Sequence, residues 1–538
     1  MNRMHARYPN CNATRKMLLA HNGQPMSTAP GTVHKSSLDE LERRKALALG
    51  AARQDRIERQ HERGQLTAHE RIDLLLDAGS FRQMGRFVFG EDLADIDRTI
   101  GGDGSVFGFG TIEDRPVAVA TTDPTVKGSS HGDAGTRVGR TQARILQKCR
   151  LPLFELRQGG GARITEMISS KFAGVGGHSM GDRYVFGPKH VILEAWLGDY
   201  FGPQTIADYI VTTRSAHASI TSPALLEVAT GQRHSADELG GSEVHSRVTG
   251  QVDGVAEDEG AAIARLRNVF SYYPSYPGGA APRRLGDDSA NRLVPELRTI
   301  LPENPNRAFD IRKVLNLVLD EGSFIEFSPD FARNLVTGLG RMDGWAVGIV
   351  ANQSMAVAGT IDTAAMIKAR RMLTIAHLYS IPFLSFLDTP GVLTTLEQEH
   401  SRLISEIYAL AASRLRPAVP KVAVIVRKGI GFAYPMMTAS DPESLTFAWP
   451  SARIAFTGPE PAARIVYGRE IQAADDPTAL LRERAEEMRA LSTPRLAAEL
   501  GHVDAIIDPA ETRKIVIRSL DALRSQNLPR RRSLMFTT

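Results

Sequence analysis

The stretch LPLFELRQGGGARI, residues 151–164, decides the fold. Its apolar first half predicts a buried strand, and the residues after it are typical of a helix. Glycine at Gly159, Gly160 and Gly161 allows positive φ and close approach of another molecule to the backbone. If a helix begins at Ala162 or Arg163, its first N–H groups have no intrahelical partner. The stretch therefore predicts a strand-to-helix turn, which either binds a developing oxyanion or is only a tight connection.

Size and composition indicate a globular protein with more than one domain. A chain of 538 residues is too long for a single core. It is 42% hydrophobic and 23% charged, and it contains no apolar window of about 20 residues that would predict a membrane span. The net charge of +4 is small for this length and does not indicate a nucleic-acid partner. Cys11 and Cys149 are too few for a disulfide framework, which favours a reducing, cytoplasmic setting.

Both ends of the chain are predicted to be tails. Residues 1–36 contain no Asp or Glu, as in a transit peptide, although a translation start at Met26 explains this better. We expect residues 1–36 to be disordered and residues 526–538 to form a basic, solvated tail. Between them, residues 37–76 look helical, with Ser37 as N-cap of the first helix and Thr67 with Glu70 as a capping box later.

An internal repeat organises the rest of the chain. Residues 108–119 recur as residues 338–349, and residues 151–154 recur as residues 381–384, both at an offset of 230. Several segments at one offset predict a tandem duplication of an α/β unit, with a boundary in the Pro/Gly-rich residues 276–288. Alternating strands and helices in each unit predict helices packed against a curved or layered sheet.

Each repeat also supplies a glycine turn to one predicted shared site. By the same offset, the first glycine turn has a partner at residues 388–391, Asp-Thr-Pro-Gly, which end in Gly391. A further glycine-rich turn follows the apolar residues 422–426 and contains Gly431, Phe432 and Ala433. The sequence contains no His, Cys or acidic cluster at metal-ligand spacing, so no metal site is predicted.

An ordered set of motifs resembles the biotin-dependent acyl-CoA carboxyltransferases, the β subunits of propionyl-CoA and acetyl-CoA carboxylases. The segments that carry the resemblance are residues 66–81, 159–166, 238–241 with His245, 292–297, 388–391, 419–422 and 448–452. The resemblance implies two tandem crotonase-like domains. Residues 37–285 would form the acyl-CoA side and residues 286–525 the biotin side.

The resemblance also implies a mechanism and partners. In that family carboxybiotin loses CO2, the biotin left behind removes the substrate α-proton, and the enolate attacks CO2. Gly161 and Ala162 would offer N–H groups to one oxyanion, and Phe432 and Ala433 to the other. The substrate-binding positions would be Gly159, Gly160, Arg163, Gly391 and Gly431. Because the chain has no biotinylation motif, it would need a separate biotin carboxylase and carrier α subunit, and it would form a homo-oligomer, typically a hexamer.

Three stretches depart from the family pattern: residues 198–204, residues 397–405, and residues 429–434, where Phe432 replaces a glycine. Compared with the family pattern, several residues are also expected to be deleted after the first of them. A phenylalanine tolerates positive φ poorly, and its ring would occupy space that a ligand needs. The departures predict a divergent member whose substrate, or whose use of biotin, differs.

Other functions stay open at this stage. A biotin-independent acyl-CoA lyase or decarboxylase needs only one oxyanion turn, and a catalytically silent assembly subunit would need none. Residues 177–181 match the G-x-S-x-G pattern of serine hydrolases, with Ser179 as nucleophile and His190, His234 or His245 as base. The lead-in to Ser179 is a poor strand, which disfavours a hydrolase.

Overall fold

The computed structural model describes residues 34–49, 53–88, 101–146, 148–167, 191–201, 207–414, 419–438 and 444–525. The chain divides into two compact units, residues 1–52 and residues 53–538. The first unit contains helix α1 (Lys35–Ala48), whose N-cap is His34. The prediction that Ser37 caps this helix is therefore wrong, because the helix begins two residues earlier and the side chain of its N-cap makes no capping bond.

The first repeat forms one eight-stranded sheet. Its strands, in sheet order, are β1-β2-β3-β4-β5-β6-β8, with β7 paired to β5. The elements are α2 (Gln54–Glu62), α3 (Ala68–Leu75), β1 (Arg82–Met84), β2 (Ser105–Ile112), β3 (Arg115–Thr122), α4 (Asp133–Leu146), β4 (Leu153–Gly159), α5 (Ile164–Met167), β5 (Ile192–Phe201), β6 (Tyr209–Thr213), β7 (Ala218–Ser219), α6 (Pro223–Thr230), α7 (Ala236–Gly240), a π-helix (Val244–Thr249), β8 (Gly254–Ala256) and α8 (Glu259–Phe270). The capping box predicted at Thr67 and Glu70 is present at the start of α3.

The second repeat forms a second eight-stranded sheet of the same order, β9-β10-β11-β12-β13-β14-β16, with β15 paired to β13. Its elements are α9 (Ile311–Val318), β9 (Ile325–Phe327), β10 (Leu335–Met342), β11 (Trp345–Asn352), α10 (Thr363–Leu378), β12 (Phe383–Thr389), α11 (Leu396–His400), α12 (Leu403–Arg414), β13 (Lys421–Ile430), α13 (Ala433–Met437), β14 (Ser444–Ala448), β15 (Arg453–Ala455), α14 (Pro459–Ala473), α15 (Pro477–Ala490), α16 (Pro494–Glu499), β16 (Ala505–Ile506) and α17 (Thr512–Ser525).

The predicted duplication is confirmed by the strand boundaries. Strands β2, β3 and β4 begin at residues 105, 115 and 153, and β10, β11 and β12 begin at residues 335, 345 and 383, all 230 residues later. The pairing also repeats, since β2 with β3 and β10 with β11 are antiparallel hairpins and the next pairs are parallel. The domain boundary at residues 285/286 remains a prediction; the first sheet ends at Ala256 and the second begins at Ile325.

An aspartate fixes each hairpin. In the first repeat the Asp77 carboxylate accepts the N–H groups of Glu113 and Asp114, both 3.0 Å away, and these two residues have positive φ. In the second repeat Asp320 binds the turn N–H groups of Asp343 and Gly344. Two central residues with positive φ form the turn that best suits the twist of a hairpin. Each of these aspartates begins an Asp-x-Gly-Ser-Phe motif, at residues 77–81 and 320–324, so this repeated motif has a structural role.

Polar contacts and a shared core join the two repeats. The Asp253 carboxylate of the first repeat pairs with Arg371 of the second, and Tyr379 donates to Asp208 Oδ2 at 2.6 Å. The largest buried apolar cluster contains residues of both repeats. Within the described part of the chain, no helix is long and apolar enough to cross a membrane.

Candidate functional site

The glycine turn of the first repeat follows β4 and is too crowded for side chains. A Cβ on Gly159 would lie 2.9 Å from the Ser129 carbonyl oxygen, and a Cβ on Gly161 would lie 2.7 Å from the Phe201 carbonyl oxygen. Gly161 also has φ +78°, which L side chains rarely adopt. Glycine is therefore required at both positions by the backbone itself. The Gly160 N–H is used internally, since it donates to the Gly128 carbonyl at 3.3 Å.

Two N–H groups of this turn remain available. In the part of the chain that the structure describes, the N–H groups of Gly161 and Ala162 have no hydrogen-bond acceptor. The groups next to them are already hydrogen-bonded to the backbone of His131. The Gly161 carbonyl accepts from His131 N–H and the Arg163 N–H donates to the His131 carbonyl, both at 2.8 Å. Consecutive backbone donors without acceptors can bind an anionic oxygen.

The equivalent turn of the second repeat is closed by a side chain. Thr389 stands where the first repeat has Gly159, and its Oγ1 accepts the Gly391 N–H at 3.2 Å while donating to Gly391 O at 3.1 Å. Gly391 itself has φ +135°. Because Thr389 satisfies the Gly391 N–H, this turn does not present the same pair of free donors as the first.

The second repeat presents a donor pair elsewhere, after β13. Gly431 takes the positive φ of +66°, whereas Phe432 has φ −65°. The concern that Phe432 would be strained is therefore unfounded, because the glycine before it makes the left-handed turn. The N–H groups of Phe432 and Ala433 lack acceptors among the described residues, and the Phe432 side chain is 56% exposed.

The two glycines of the second repeat lie together. A Cβ on Gly431 would be 3.8 Å from the Gly391 Cα. Gly391 and Gly431 thus border the same edge of the sheet, beside the Phe432–Ala433 donors. The altered stretch at residues 397–405 forms helix α11 and the start of α12 rather than a glycine turn.

Arg163 is held by the protein rather than left free. Its guanidinium contacts Asp103 Oδ2 and Glu166 Oε1, both at 2.7 Å, and donates to the Ser130 carbonyl at 2.7 Å. Hydrogen bonds to the two carboxylates outweigh burial and raise the pKa of Arg163. The side chain thus ties the glycine turn to the loop before β2.

Buried ion pairs support both turns. Asp388, just before Thr389, pairs with Arg427 of β13 through two bonds of 3.0 and 2.7 Å. At the matching position Gln158 receives a 2.5 Å bond from Arg71, which also pairs with Glu259. A side chain on Gly198, the counterpart of Arg427, would collide with Gln158, because its Cβ would lie 2.6 Å from Gln158 Nε2.

A charged cluster beneath the first turn was not found from the sequence. Arg157 lies 2.7 Å from Glu155 and 2.5 Å from Glu194, and it donates to the Tyr200 hydroxyl at 3.0 Å. Although burial opposes protonation, Glu155 and Glu194 raise the pKa of Arg157. The matching positions of the second repeat are Ser385, Leu387, Ala423 and Gly429. Only strand pairing brings these residues of β4 and β5 together.

The altered stretch at residues 198–204 lies at a shortened connection. Seven residues, 202–208, link β5 to β6, whereas thirteen, 431–443, link β13 to β14. The first connection is therefore six residues shorter than its counterpart in the second repeat, and the deletion relative to the family stays a prediction. Residues 202–206 lie outside the described part of the chain.

The structure describes two of the four residues of the hydrolase hypothesis, His234 and His245. Ser179 and His190 lie outside the described residues. His245 is bonded through both ring nitrogens, to the Ala218 carbonyl and to Thr249 Oγ1, and His234 is on the surface near Gln232. Among the described residues, no group of three His, Cys, Asp or Glu side chains is placed to hold a metal.

Comparison with known proteins gives the class. The carboxyl transferase domain family matches residues 59–534. The chain is 35% identical over 501 residues to the propionyl-CoA carboxylase carboxyltransferase subunit of Haloferax mediterranei, covering 91% of this chain and 96% of that protein. It is 33% identical over 483 residues to the methylmalonyl-CoA decarboxylase subunit alpha of Veillonella parvula, with coverage of 88% and 92%.

A solved structure agrees with the sequence relatives. The crystal structure of transcarboxylase 12S, a hexamer with methylmalonyl-coenzyme A bound, superposes with a TM-score of 0.83 at 32% identity, covering 93% of this chain and 98% of that one. The chain belongs to the carboxyl transferase family and is a carboxyltransferase subunit. The predicted fold of two tandem crotonase-like α/β domains is confirmed.

Proposed function

We propose that this chain moves a carboxyl group from carboxybiotin to the α-carbon of an acyl-CoA thioester, as the β subunit of an acyl-CoA carboxylase. One observation carries the proposal: among the described residues, the N–H groups of Gly161 and Ala162 in the first repeat, and those of Phe432 and Ala433 in the second, have no acceptor. Carboxyl transfer between a thioester and a cyclic urea requires two oxyanions to be stabilised, one for each partner. The propionyl-CoA and methylmalonyl-CoA relatives support the acyl-CoA assignment.

The roles of the site residues follow from their positions. Gly161 and Ala162 donate to the thioester oxygen as the enolate forms, and Phe432 and Ala433 donate to the urea oxygen. Each such donor is worth about 3–4 kcal/mol in the transition state. Gly159, Gly160, Gly391 and Gly431 keep the backbone accessible to the two ligands. Arg163 is a positioning residue in this scheme, because its guanidinium is bound to Asp103, Ser130 and Glu166.

Biotin fits the second donor pair, since Phe432 and Ala433 offer adjacent N–H groups and the exposed Phe432 ring offers an apolar face. When bound, biotin supplies the transferable carboxyl group and an acceptor for the α-proton. We further propose that it arrives on a biotin carboxylase and carrier α subunit. The assembly is a cytoplasmic homo-oligomer, a hexamer as in the 12S structure.

A decarboxylase or lyase on the same fold is the second candidate. Two observations favour it. The chain is similar to a decarboxylase subunit. In addition, the donors Gly161 and Ala162 are held by contacts within the first repeat, and this function needs only one donor pair. An assembly subunit without activity would require neither donor pair.

One assay separates these functions. The purified full-length chain is incubated with methylmalonyl-CoA, with and without free biotin, and propionyl-CoA is measured. Product that depends on biotin supports the carboxyltransferase. Product without biotin supports the second candidate, and binding without product contradicts both. Capture of a biotinylated protein of α-subunit size from native extract tests the partner.

A further inference from the structure

The helix beside the glycine turn of the first repeat carries a row of arginines. Helix α4 begins next to the turn, because the backbone of His131, just before it, forms a parallel bridge with Ala162. Arg137, Arg140 and Arg144 are all exposed, and their spacing of three and four residues places them on one face of the helix. We call these three side chains the basic face of α4.

The opposite face of α4 packs on the sheet and fixes the direction of the basic face. Val138 and Leu146 of the helix share a buried cluster with Phe107, Ala118 and Leu153 of strands β2, β3 and β4. The basic face therefore points away from the sheet, to solvent. From its first to its last arginine it extends about 10 Å along the helix, away from the turn.

Positive charge is concentrated in and around this helix. Residues 127–150 contain one acidic residue, Asp133, and six basic residues, Lys127, Arg137, Arg140, Arg144, Lys148 and Arg150. Asp133 pairs with Arg137 at 2.9 Å. In the part of the chain that the structure describes, no carboxylate pairs with Arg140 or Arg144. The surface of this segment therefore keeps an excess of positive charge.

The second repeat uses the cations of its equivalent helix inside the protein. At the positions of the basic face, 230 residues later, it has Ile367, Arg370 and Thr374. Arg370 is paired with Glu406 at 3.0 Å. The other two cations of α10 are also bound, Lys368 to two backbone carbonyls and Arg371 to Asp253. An exposed row of arginines is thus a property of α4 and not of the duplicated helix in general.

Lys127 extends the positive charge to the turn itself. Its loop contacts the turn, because the Gly128 carbonyl accepts a hydrogen bond from Gly160 N–H at 3.3 Å. The Lys127 side chain is 53% exposed, and its ammonium lies 3.5 Å from Asp103 and 3.9 Å from Glu166. No short ion pair would therefore have to break for Lys127 to bind an anion from solvent.

We propose that Lys127 and the basic face of α4 bind the phosphate groups of the acyl-CoA whose thioester lies at Gly161 and Ala162. This inference rests on the proposed function, which assigns the thioester to the first repeat. Coenzyme A carries a diphosphate and a 3′-phosphate, and its pantetheine arm separates them from the reacting carbon. Arginine binds phosphate through two parallel N–H groups. Biotin carries no phosphate, which fits the absence of such a face on α10 in the second repeat.

Thioesters with and without phosphates test this site. The full-length chain is titrated in a calorimeter with propionyl-CoA, with propionyl-pantetheine and with adenosine 3′,5′-bisphosphate, which has two phosphates and no thioester. We expect the bisphosphate to compete with propionyl-CoA, and added salt to weaken both, because exposed charges are screened. Arg140→Gln with Arg144→Gln should raise Kd for these two ligands about tenfold, as expected for two exposed charge contacts. Kd for propionyl-pantetheine should not change.

A matched control removes the same charge elsewhere. Arg233→Gln with Arg495→Gln changes one exposed arginine in each repeat, with side chains 86% and 84% exposed, and should leave all three dissociation constants unchanged. Neither double variant alters a group at the reacting atoms, so both should keep the kcat of biotin-dependent propionyl-CoA formation.

The outcomes separate this inference from the proposed function. A loss of affinity confined to the two phosphate-bearing ligands supports the phosphate site. Unchanged affinities in Arg140→Gln with Arg144→Gln, or an equal loss for propionyl-pantetheine, overturn it, and turnover of methylmalonyl-CoA then leaves the proposed function standing. Bisphosphate binding that depends on the two arginines, without turnover of methylmalonyl-CoA, keeps the phosphate site and overturns the proposed function. Absence of binding by all three ligands overturns both.

Discussion

The two repeats build the same turn and use it differently. In the second repeat Thr389 bonds both polar groups of Gly391, whereas in the first repeat Gly159 has no side chain to do so. Beneath these turns, the second repeat places the ion pair Asp388–Arg427 and the first places Gln158 against Arg71. One side chain, Thr389, therefore decides whether the N–H group of the duplicated turn is hydrogen-bonded within the protein (a sealed turn) or left without an acceptor (an open turn). The two copies of the turn share their backbone course and differ in the polar contacts around it.

The largest expected effect is on stability, and it distinguishes the side-chain pair beneath the second turn, Asp388 with Arg427, from the pair beneath the first, Gln158 with Arg71. Asp388→Ala leaves the Arg427 charge buried without its carboxylate, so we expect a loss of about 3–5 kcal/mol in the free energy of unfolding. Gln158→Ala leaves Arg71 paired with Glu259 and should cost only about 1–2 kcal/mol. Urea unfolding midpoints measure both. Equal losses would mean that the two turns are supported alike.

The next effect concerns the donors themselves. Ala162→Pro removes one proposed donor, because proline has no N–H, and should lower carboxyl transfer by about a hundredfold or more. Val392→Pro, at the equivalent position of the sealed turn, is the control and should retain most activity. The rate of biotin-dependent propionyl-CoA formation is compared. Full activity in Ala162→Pro would remove this turn from the catalytic site.

A smaller effect is expected from loss of the hydrogen bonds between Thr389 and Gly391 in the second turn. Thr389→Ala removes the two bonds to Gly391 and should cost about 1 kcal/mol of stability, as is typical of single hydrogen bonds. Because Gly391 N–H is not a donor in the proposed reaction, KM for acyl-CoA should not change. A fall in this KM would indicate that the opened turn has become a second acyl-CoA site.

The smallest effect is a pH dependence confined to the first repeat. His217 lies between Asp199 and Asp237, at 2.8 and 2.9 Å, and these carboxylates outweigh burial and raise its pKa. The contact therefore stabilises the fold below the unfolded-state pKa of about 6.5, and this contribution is lost as the pH rises through the native value. Solvent screening keeps the effect small, since both carboxylates are exposed.

Stability measured from pH 6 to 9 checks this, with His217→Gln as the comparison. The slope that depends on His217 should be absent from the variant. The register pairs Gly429 with Ile454 as it pairs Tyr200 with Ala218, so the counterpart of His217 is Arg453, and the second repeat has no histidine at this position. An unchanged slope in His217→Gln would assign the pH dependence to other groups.

Much of the fold was predictable because repetition is visible in sequence. The offset of 230 located β2, β3 and β4 and their counterparts, and the capping box at Thr67 and Glu70 fixed the start of α3. The cap at Ser37 was wrong because a short polar stretch offers several possible helix starts. The positions of the glycine turns and the class of the protein were also predictable, because both depend on local residue patterns in a fixed order.

The sequence by itself determined the duplication, the turns and the carboxyltransferase class. Only the tertiary structure decided which turn has unbonded N–H groups, because the hydrogen bond from Gly391 N–H to Thr389 depends on the direction in which the Thr389 hydroxyl points. The same holds for the charged cluster of Glu155, Arg157, Glu194 and Tyr200, for the Arg71–Gln158 support, and for His131 beside Ala162. Hydrogen bonds and ion pairs join residues that are tens to hundreds of positions apart, and spacing along the chain does not encode them.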